Sequence, residues 1–173
     1  MSIAGASAAG ADGCTSGVGP AGSSGPVRNP MTGPYTVTSE FGTRDGSFHA
    51  GIDLASASPV PIVATQGGRV TVALRNDPDA GNFVVVDHGS AVATRYLHLS
   101  TLDVTVGQEV SAGQILGLQG NTGHSFGAHL HFEVLVNGLA TDPRPWLASH
   151  GVELPATGQS GTANDSRPDR TKI

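Results

Sequence analysis

Cysteine occurs once in this sequence, at Cys14, so neither an intrachain disulfide nor a cysteine-built metal site is available. Lysine also occurs once, at Lys172, and charged residues make up only 13% of the 173 positions, against about 25% in an average domain. With a formal net charge of −5 and no cluster of arginines, the chain lacks the basic patch by which proteins hold nucleic acid. No run approaches the ~18–20 consecutive apolar residues of a membrane span. Nor does the start show a basic stretch leading into an apolar one, so no secretory leader is legible; Ala11-Asp12-Gly13-Cys14 lacks the apolar run of a lipoprotein signal.

What is abundant excludes long helices as firmly. The chain carries 25 glycines and 11 prolines, well above average usage, and no window sustains an apolar period of three to four residues. Residues 1–33 are Gly, Ala, Ser and Pro with only Asp12 and Arg28 charged, which predicts a flexible leader or linker. Residues 151–173 are small, polar and of mixed charge, which predicts a disordered tail. Between them, residues 34–150 hold short β-branched runs broken by glycine. The runs predict strands at Tyr35–Ser39, Pro61–Ala64, Gly68–Leu74, Phe83–His88, Ala91–Leu97, Ile115–Gln119 and Leu130–Val136. Turn signals between them, such as Gly67-Gly68, Asp77-Pro78 and Asn137-Gly138, indicate a compact all-β domain of antiparallel sheet. One short helical turn is expected near Pro145–Ser149, with Trp146 and Leu147 closing one end of the core.

The chemistry lies in the histidines, of which there are seven. In Ala128-His129-Leu130-His131-Phe132-Glu133-Val134 the alternation is clean. Successive strand side chains point to opposite faces, so His129, His131 and Glu133 share one face while Leu130, Phe132 and Val134 enter a core. Two imidazoles side by side on an apolar strand need partners, and a metal ion would provide one; a plain polar face is the competing reading. In His49-Ala50-Gly51-Ile52-Asp53, an imidazole and a carboxylate converge either on a helical turn or from a strand-to-loop bend, and Gly51 favours the bend. Nitrogen and oxygen donors together suit zinc, although this pattern alone is equally that of a surface histidine and a turn aspartate. In Arg95-Tyr96-Leu97-His98-Leu99, alternation puts Tyr96 and His98 on one face. His88 fits a strand-end turn, His124 lies in the loop before the His129 strand, and His150 is expected at the surface.

These residues together resemble the lysostaphin/LytM-type zinc metallopeptidases of family M23, which cleave peptidoglycan. The resemblance rests on Phe41-Gly42-Thr43-Arg44, His49-Ala50-Gly51-Ile52-Asp53, Tyr96-Leu97-His98-Leu99-Ser100, the segment from Gly107 to Gly117, Gly120-Asn121-Thr122-Gly123 and His129-Leu130-His131-Phe132-Glu133. It spans about Tyr35–Leu147. Ala128 stands where the family often has proline, and His124-Ser125-Phe126 replaces a loop usually rich in Ser and Thr; neither departure touches a ligand position. The resemblance implies a domain of the duplicated-hybrid-motif type with a loop-walled groove. It further implies that His49, Asp53 and His131 hold Zn2+, with His98 and His129 as the catalytic pair, serving between them as proton acceptor and as stabiliser of the oxyanion or donor to the leaving amine. Glu133 then supports a ligand rather than acting as base.

The implied substrate is the peptide portion of bacterial peptidoglycan, met outside the cell, in the wall or periplasm, or by a phage particle. Without a legible leader, export by another route or origin from a longer chain is expected. No nucleic-acid partner and no membrane span are expected, and a monomer is. Two rival readings are weaker. The Val106–Leu116 segment resembles a hairpin of biotinyl or lipoyl carriers, but such a carrier needs a lysine at a strand turn, and Lys172 is in the expected tail. A catalytically inactive relative, binding walls or regulating another hydrolase, would typically have lost a ligand, and all are present here. Nothing matches the His-Glu-x-x-His helix of other zinc proteases.

Overall fold

The computed structural model describes residues 25–44 and 46–162; Cys14, Lys172 and the outer parts of the expected leader and tail lie outside these. The chain forms β1 (Tyr35–Ser39), β2 (Gly42–Arg44), β3 (Ser47–His49), β4 (Ile52–Ala55), β5 (Pro61–Val63), β6 (Gly68–Asp77) and β7 (Gly81–Gly89). There follow β8 (Val92–Leu99), β9 (Thr101–Leu102), β10 (Glu109–Val110), β11 (Ile115–Leu118), β12 (Leu130–Val136), β13 (Leu139–Thr141), the helix α1 (Pro143–Ser149) and β14 (Ser160–Gly161). One large sheet runs β10-β6-β7-β8-β12-β4-β1-β14, with β13 also paired to β12. A smaller sheet runs β5-β11-β9, and β2 with β3 makes a separate hairpin. Every pairing is antiparallel, as the composition predicts.

The core lies under the inward face of the large sheet. Val37, Leu54, Val70, Val84, Val86, Tyr96, Leu130, Phe132 and Val134 are buried there against Ile62 and Leu116 of the small sheet. Burying one such side chain stabilises the fold by about 1.5–3 kcal/mol. The alternation of β12 therefore sends Leu130, Phe132 and Val134 inward as expected. The helix begins two residues earlier than expected because Asp142 caps it, accepting the Arg144 N–H at 3.0 Å, and Pro143 occupies the first turn, where its missing donor costs nothing. Leu147 is fully buried and Trp146 packs against the same cluster.

The packed unit crosses both expected borders. Met31 is fully buried and bridges Ile62, the Arg28 N–H donates to the Thr65 carbonyl, and the Asn29 amide donates to the Tyr35 hydroxyl. Beyond His150, Val152 and Leu154 are buried and β14 pairs with β1. Residues 28–33 and 152–161 are thus part of the domain, against the reading of a flexible leader and disordered tail. Segments poor in apolar residues are held here by a few anchors and by backbone pairing to a sheet edge, neither of which leaves a periodic signal.

His88 is a structural residue, as expected. Its Nδ1 donates to the Gly67 carbonyl at 2.9 Å, and its Nε2 lies 2.8 Å from the Thr94 hydroxyl, itself 2.9 Å from that of Tyr96. Burial pushes the His88 pKa below its ordinary 6.5, against smaller opposing effects of the Gly67 carbonyl and Asp87. The folded state thus holds His88 neutral while the unfolded chain takes up a proton below pH 6.5. The stability that neutral His88 contributes is present above that pH and is lost as pH falls through the depressed value. Denaturant unfolding of the native chain and of His88→Gln should give a stability gap that shrinks as pH drops from 7.5 to 5; a constant gap would refute this.

Candidate metal centre

The site is built by the pairing of β4 with β12. In this register Asp53 stands directly opposite His131, flanked by Leu54↔Leu130 and Ile52↔Phe132 pairs that face the core. Asp53 and His131 therefore emerge together on the outer face. His49 arrives from the end of β3 after a bend through Ala50 and Gly51, as its spacing suggested. Gly51 passes so close to β12 that a Cβ there would lie 2.3 Å from the Phe132 carbonyl oxygen and 2.9 Å from His131 Nε2. Only glycine permits the approach.

The three donors form a nearly equilateral triangle. His49 Nε2 is 3.0 Å from Asp53 Oδ1 and 2.9 Å from His131 Nδ1, and His131 Nδ1 is 2.9 Å from Asp53 Oδ1. The opposite ring nitrogens are committed elsewhere. His49 Nδ1 donates to the Glu40 carbonyl at 2.7 Å, and His131 Nε2 donates to Glu133 Oε1 at 3.1 Å. Glu133 Oε2 in turn accepts from Arg95 at 2.8 Å, across the β8–β12 pairing. Two imidazole nitrogens and a carboxylate oxygen thus face one another at 2.9–3.0 Å, close enough to share a proton or to hold a cation. Such a donor set could hold a metal ion. Tetrahedral zinc with bonds of about 2.0–2.1 Å sets its donors roughly 3.3 Å apart, so the triangle need only widen by a few tenths of an ångström. Among the described residues, His49, Asp53 and His131 are the group placed to hold a metal.

The charges around the triangle are held in place. Burial alone would raise the Asp53 pKa, but hydrogen bonds and charge from His131 and His49 outweigh it and keep the carboxyl well below the usual range. Burial would lower that of His131, yet bonding to Asp53 and Glu133 raises it, so a proton competes with any metal at Nδ1. The same His131, with Arg95, overcomes burial to keep Glu133 ionised.

His98 and His129 stand beside this triangle, with ring centroids 4.9 Å apart and His98 6.0 Å from His131. His129 Nδ1 donates to the Gly127 carbonyl at 2.8 Å, and its Nε2 lies 3.7 Å from Asp53 Oδ1. His98 Nδ1 donates to the Thr122 carbonyl at 2.8 Å, leaving Nε2 as an acceptor. Burial depresses the pKa of His98, so it is neutral at pH 7. The expected sharing of a face by Tyr96 and His98 is corrected here. Strand β8 bulges against β7, with Leu97 and His98 opposing Phe83 alone, and His98 takes φ of +64°. The bulge turns His98 out into the groove while Tyr96 and Leu99 both stay in the core.

The five side chains open into a groove of about 500 Å³. Arg44 of the β2–β3 hairpin lines it, as does the loop bearing His124 and Phe126 opposite; Phe126 is 98% exposed. Four orienting groups carry no signal in the sequence: the carbonyls of Glu40, Thr122 and Gly127, and Ser125, whose hydroxyl is 3.2 Å from His129 Nδ1. Three act through the backbone, whatever side chain the residue carries.

An antiparallel β domain that opens a His/Asp/His donor set onto a groove defines a metallohydrolase-like class. The sequence profile of Peptidase family M23 matches residues 47–143, and the chain belongs to that family. Peptidoglycan DD-endopeptidase ShyA of Vibrio cholerae is 43% identical over 118 residues, covering 64% of this chain and 27% of that protein. The catalytic domain of lysostaphin from Staphylococcus simulans matches with a TM-score of 0.60 at 31% identity, over 66% of this chain and 92% of that one. A chain of the SpoIIQ–SpoIIIAH pore-forming complex matches with a TM-score of 0.65 at 27% identity, over 76% and 93%. This chain spans about a quarter of the length of the curated relatives it matches.

Gly51→Ala tests the close approach. It should destabilise the fold by about 1–3 kcal/mol and, by displacing His131 from Glu133, lower the affinity for added metal; denaturant unfolding and metal titration measure both, and a variant with native stability would contradict the steric account.

Proposed function

We propose that the chain is a zinc-dependent endopeptidase that hydrolyses the peptide portion of bacterial peptidoglycan, in stems or cross-bridges. The observation that carries this is the triangle of His49 Nε2, Asp53 Oδ1 and His131 Nδ1, open to a groove beside two further imidazoles. Zinc held there supplies Lewis acidity toward a peptide carbonyl and activates water near neutral pH. The remaining work falls to side chains. His98 and His129 each have Nδ1 fixed by a carbonyl, so each presents Nε2 to the reacting groups. One can accept the proton of the attacking water and one can stabilise the developing oxyanion or protonate the leaving amine. Glu133, bonded to His131 and Arg95, orients the ligand and stays out of proton transfer.

Relatives named as peptidoglycan endopeptidases support a reaction outside the cytoplasm. Among the described residues no helix is long and apolar enough to cross a membrane. A chain of a pore-forming complex shares the fold, and a non-catalytic role is the second reading. The intact donor set with both neighbouring histidines favours the enzyme over a wall-binding or regulatory relative.

Purified bacterial walls of glycine-bridged and directly cross-linked types, incubated with the zinc-loaded protein, should lose turbidity and yield new amino termini on one of them. Chelation should abolish this and zinc restore it. His131→Ala should lose both metal and activity, whereas His129→Ala should keep zinc at the native stoichiometry and lose about 10²–10⁴-fold in turnover. Near-native rates in His129→Ala would overturn the division of roles, and zinc-bound protein releasing no amino termini from either wall would overturn the enzyme.

A further inference from the structure

The segment after α1 is tied to the metal centre through one residue, Glu40, in the connection between β1 and β2. The Glu40 carbonyl accepts the proton of His49 Nδ1 at 2.7 Å and also accepts from Arg44 Nη2 at 3.2 Å. Its side chain is gripped from the other side of the molecule. Arg144, in the first turn of α1, donates through Nη2 to Glu40 Oε1 at 2.7 Å and through Nε to Oε2 at 3.2 Å, a two-point fork. The same guanidinium donates to the carbonyls of Leu154 at 2.9 Å and Pro155 at 3.0 Å. The Thr157 hydroxyl also donates to Glu40 Oε1, and the Gly158 N–H donates to the Val37 carbonyl just upstream. All three nitrogens of one guanidinium thus fasten residues 154–155 to Glu40, and Glu40 fixes the tautomer of a proposed zinc ligand.

We propose that Arg144 and Glu40, with Thr157, are positioning residues of the metal centre. By fixing the Glu40 backbone they hold the carbonyl that keeps the His49 proton on Nδ1 and its Nε2 lone pair turned to the metal, so that metal affinity depends on the chain beyond the helix. A hydrogen bond from a ligating imidazole to a carbonyl orients the ring and raises its basicity. That carbonyl lies next to Phe41 and Gly42, the latter at φ of +122°, in the short connection from β1 to β2, where the Arg144 clamp ties its residue to the segment beyond the helix. The inference rests on the zinc reading above, and its test separates the two.

The full chain, metal-free, would be labelled with ¹⁵N and its imidazole nitrogens followed by long-range ¹H–¹⁵N correlation; zinc affinity would be measured by competition with a chromophoric chelator. Arg144→Met keeps the aliphatic stem and removes every donor. It should weaken zinc binding about tenfold or more and turn the single Nδ1–H pattern of His49 into a mixture of tautomers, leaving His88 unchanged. Arg144→Lys should recover part of the affinity, and Glu40→Gln, which keeps the side-chain shape, should fall between the native and Arg144→Met proteins. A clamp that merely staples the segment would lower the thermal midpoint while leaving zinc affinity within twofold and the His49 pattern intact; that result overturns the proposal. If the native chain bound no zinc, the zinc reading would fall, and the metal-free His49 spectra would still decide whether Arg144 and Glu40 set its tautomer.

Discussion

The register between β4 and β12 is the constraint on which the rest depends. Asp53 opposite His131 is one pair in a short antiparallel ladder, and its neighbours Leu54↔Leu130 and Ile52↔Phe132 are core pairs. A slip of one residue would bury Asp53 and His131 and expose Leu54, Leu130 and Phe132. The hydrophobic free energy of the core therefore enforces the geometry of the polar centre, which has little stability of its own to offer. Gly51 sets the limit of that arrangement, because the bend carrying His49 must pass over the Phe132 carbonyl at a distance no side chain allows.

Around this ladder, orientation is imposed from behind. Each of the four clustered imidazoles gives one proton to a fixed oxygen: Glu40 carbonyl, Glu133 carboxylate, Thr122 carbonyl and Gly127 carbonyl. The tautomers follow from those acceptors, and with them the division between nitrogens that face the centre and nitrogens that face the scaffold. Three of the four acceptors are backbone carbonyls in loops or bends, so the shape of the loops rather than their side chains determines what the histidines can do.

That distribution explains what was legible in the sequence. Leu130–Val136 appears with its expected ends because a seven-residue alternation is a strong signal. The grouping of His49, Asp53 and His131 is legible in the sequence only through the resemblance to family M23, because His-x-x-x-Asp alone also describes a surface histidine and a turn aspartate. β2, β3, β4, β9, β10, β13 and β14 are two to four residues long, too short for alternation to register. The outward turn of His98 is not legible, because a bulge with a left-handed non-glycine residue leaves no mark in local composition. The ordering of residues 152–161 was hidden for another reason: Val152 and Leu154 are two apolar anchors in a polar stretch, and the Arg144 fork that secures them is ten or more residues away.

The low charge of the chain acquires a meaning at the centre. Asp53 and Glu133 are both held ionised, while Arg95 bonds Glu133 and Arg44 stands 3.7 Å from Asp53. Two carboxylates and two guanidiniums cancel in formal charge. A divalent cation added to this set would meet one carboxylate and two neutral imidazoles as donors, and would keep most of its field directed into the groove. Three carboxylate donors would quench that field. Three imidazoles would lack the fixed negative charge with which Asp53 offsets part of the cation's own. The mixed set satisfies both demands, and it does so only because Glu133, the other acid on the same face, is neutralised by Arg95 across the β8–β12 pairing.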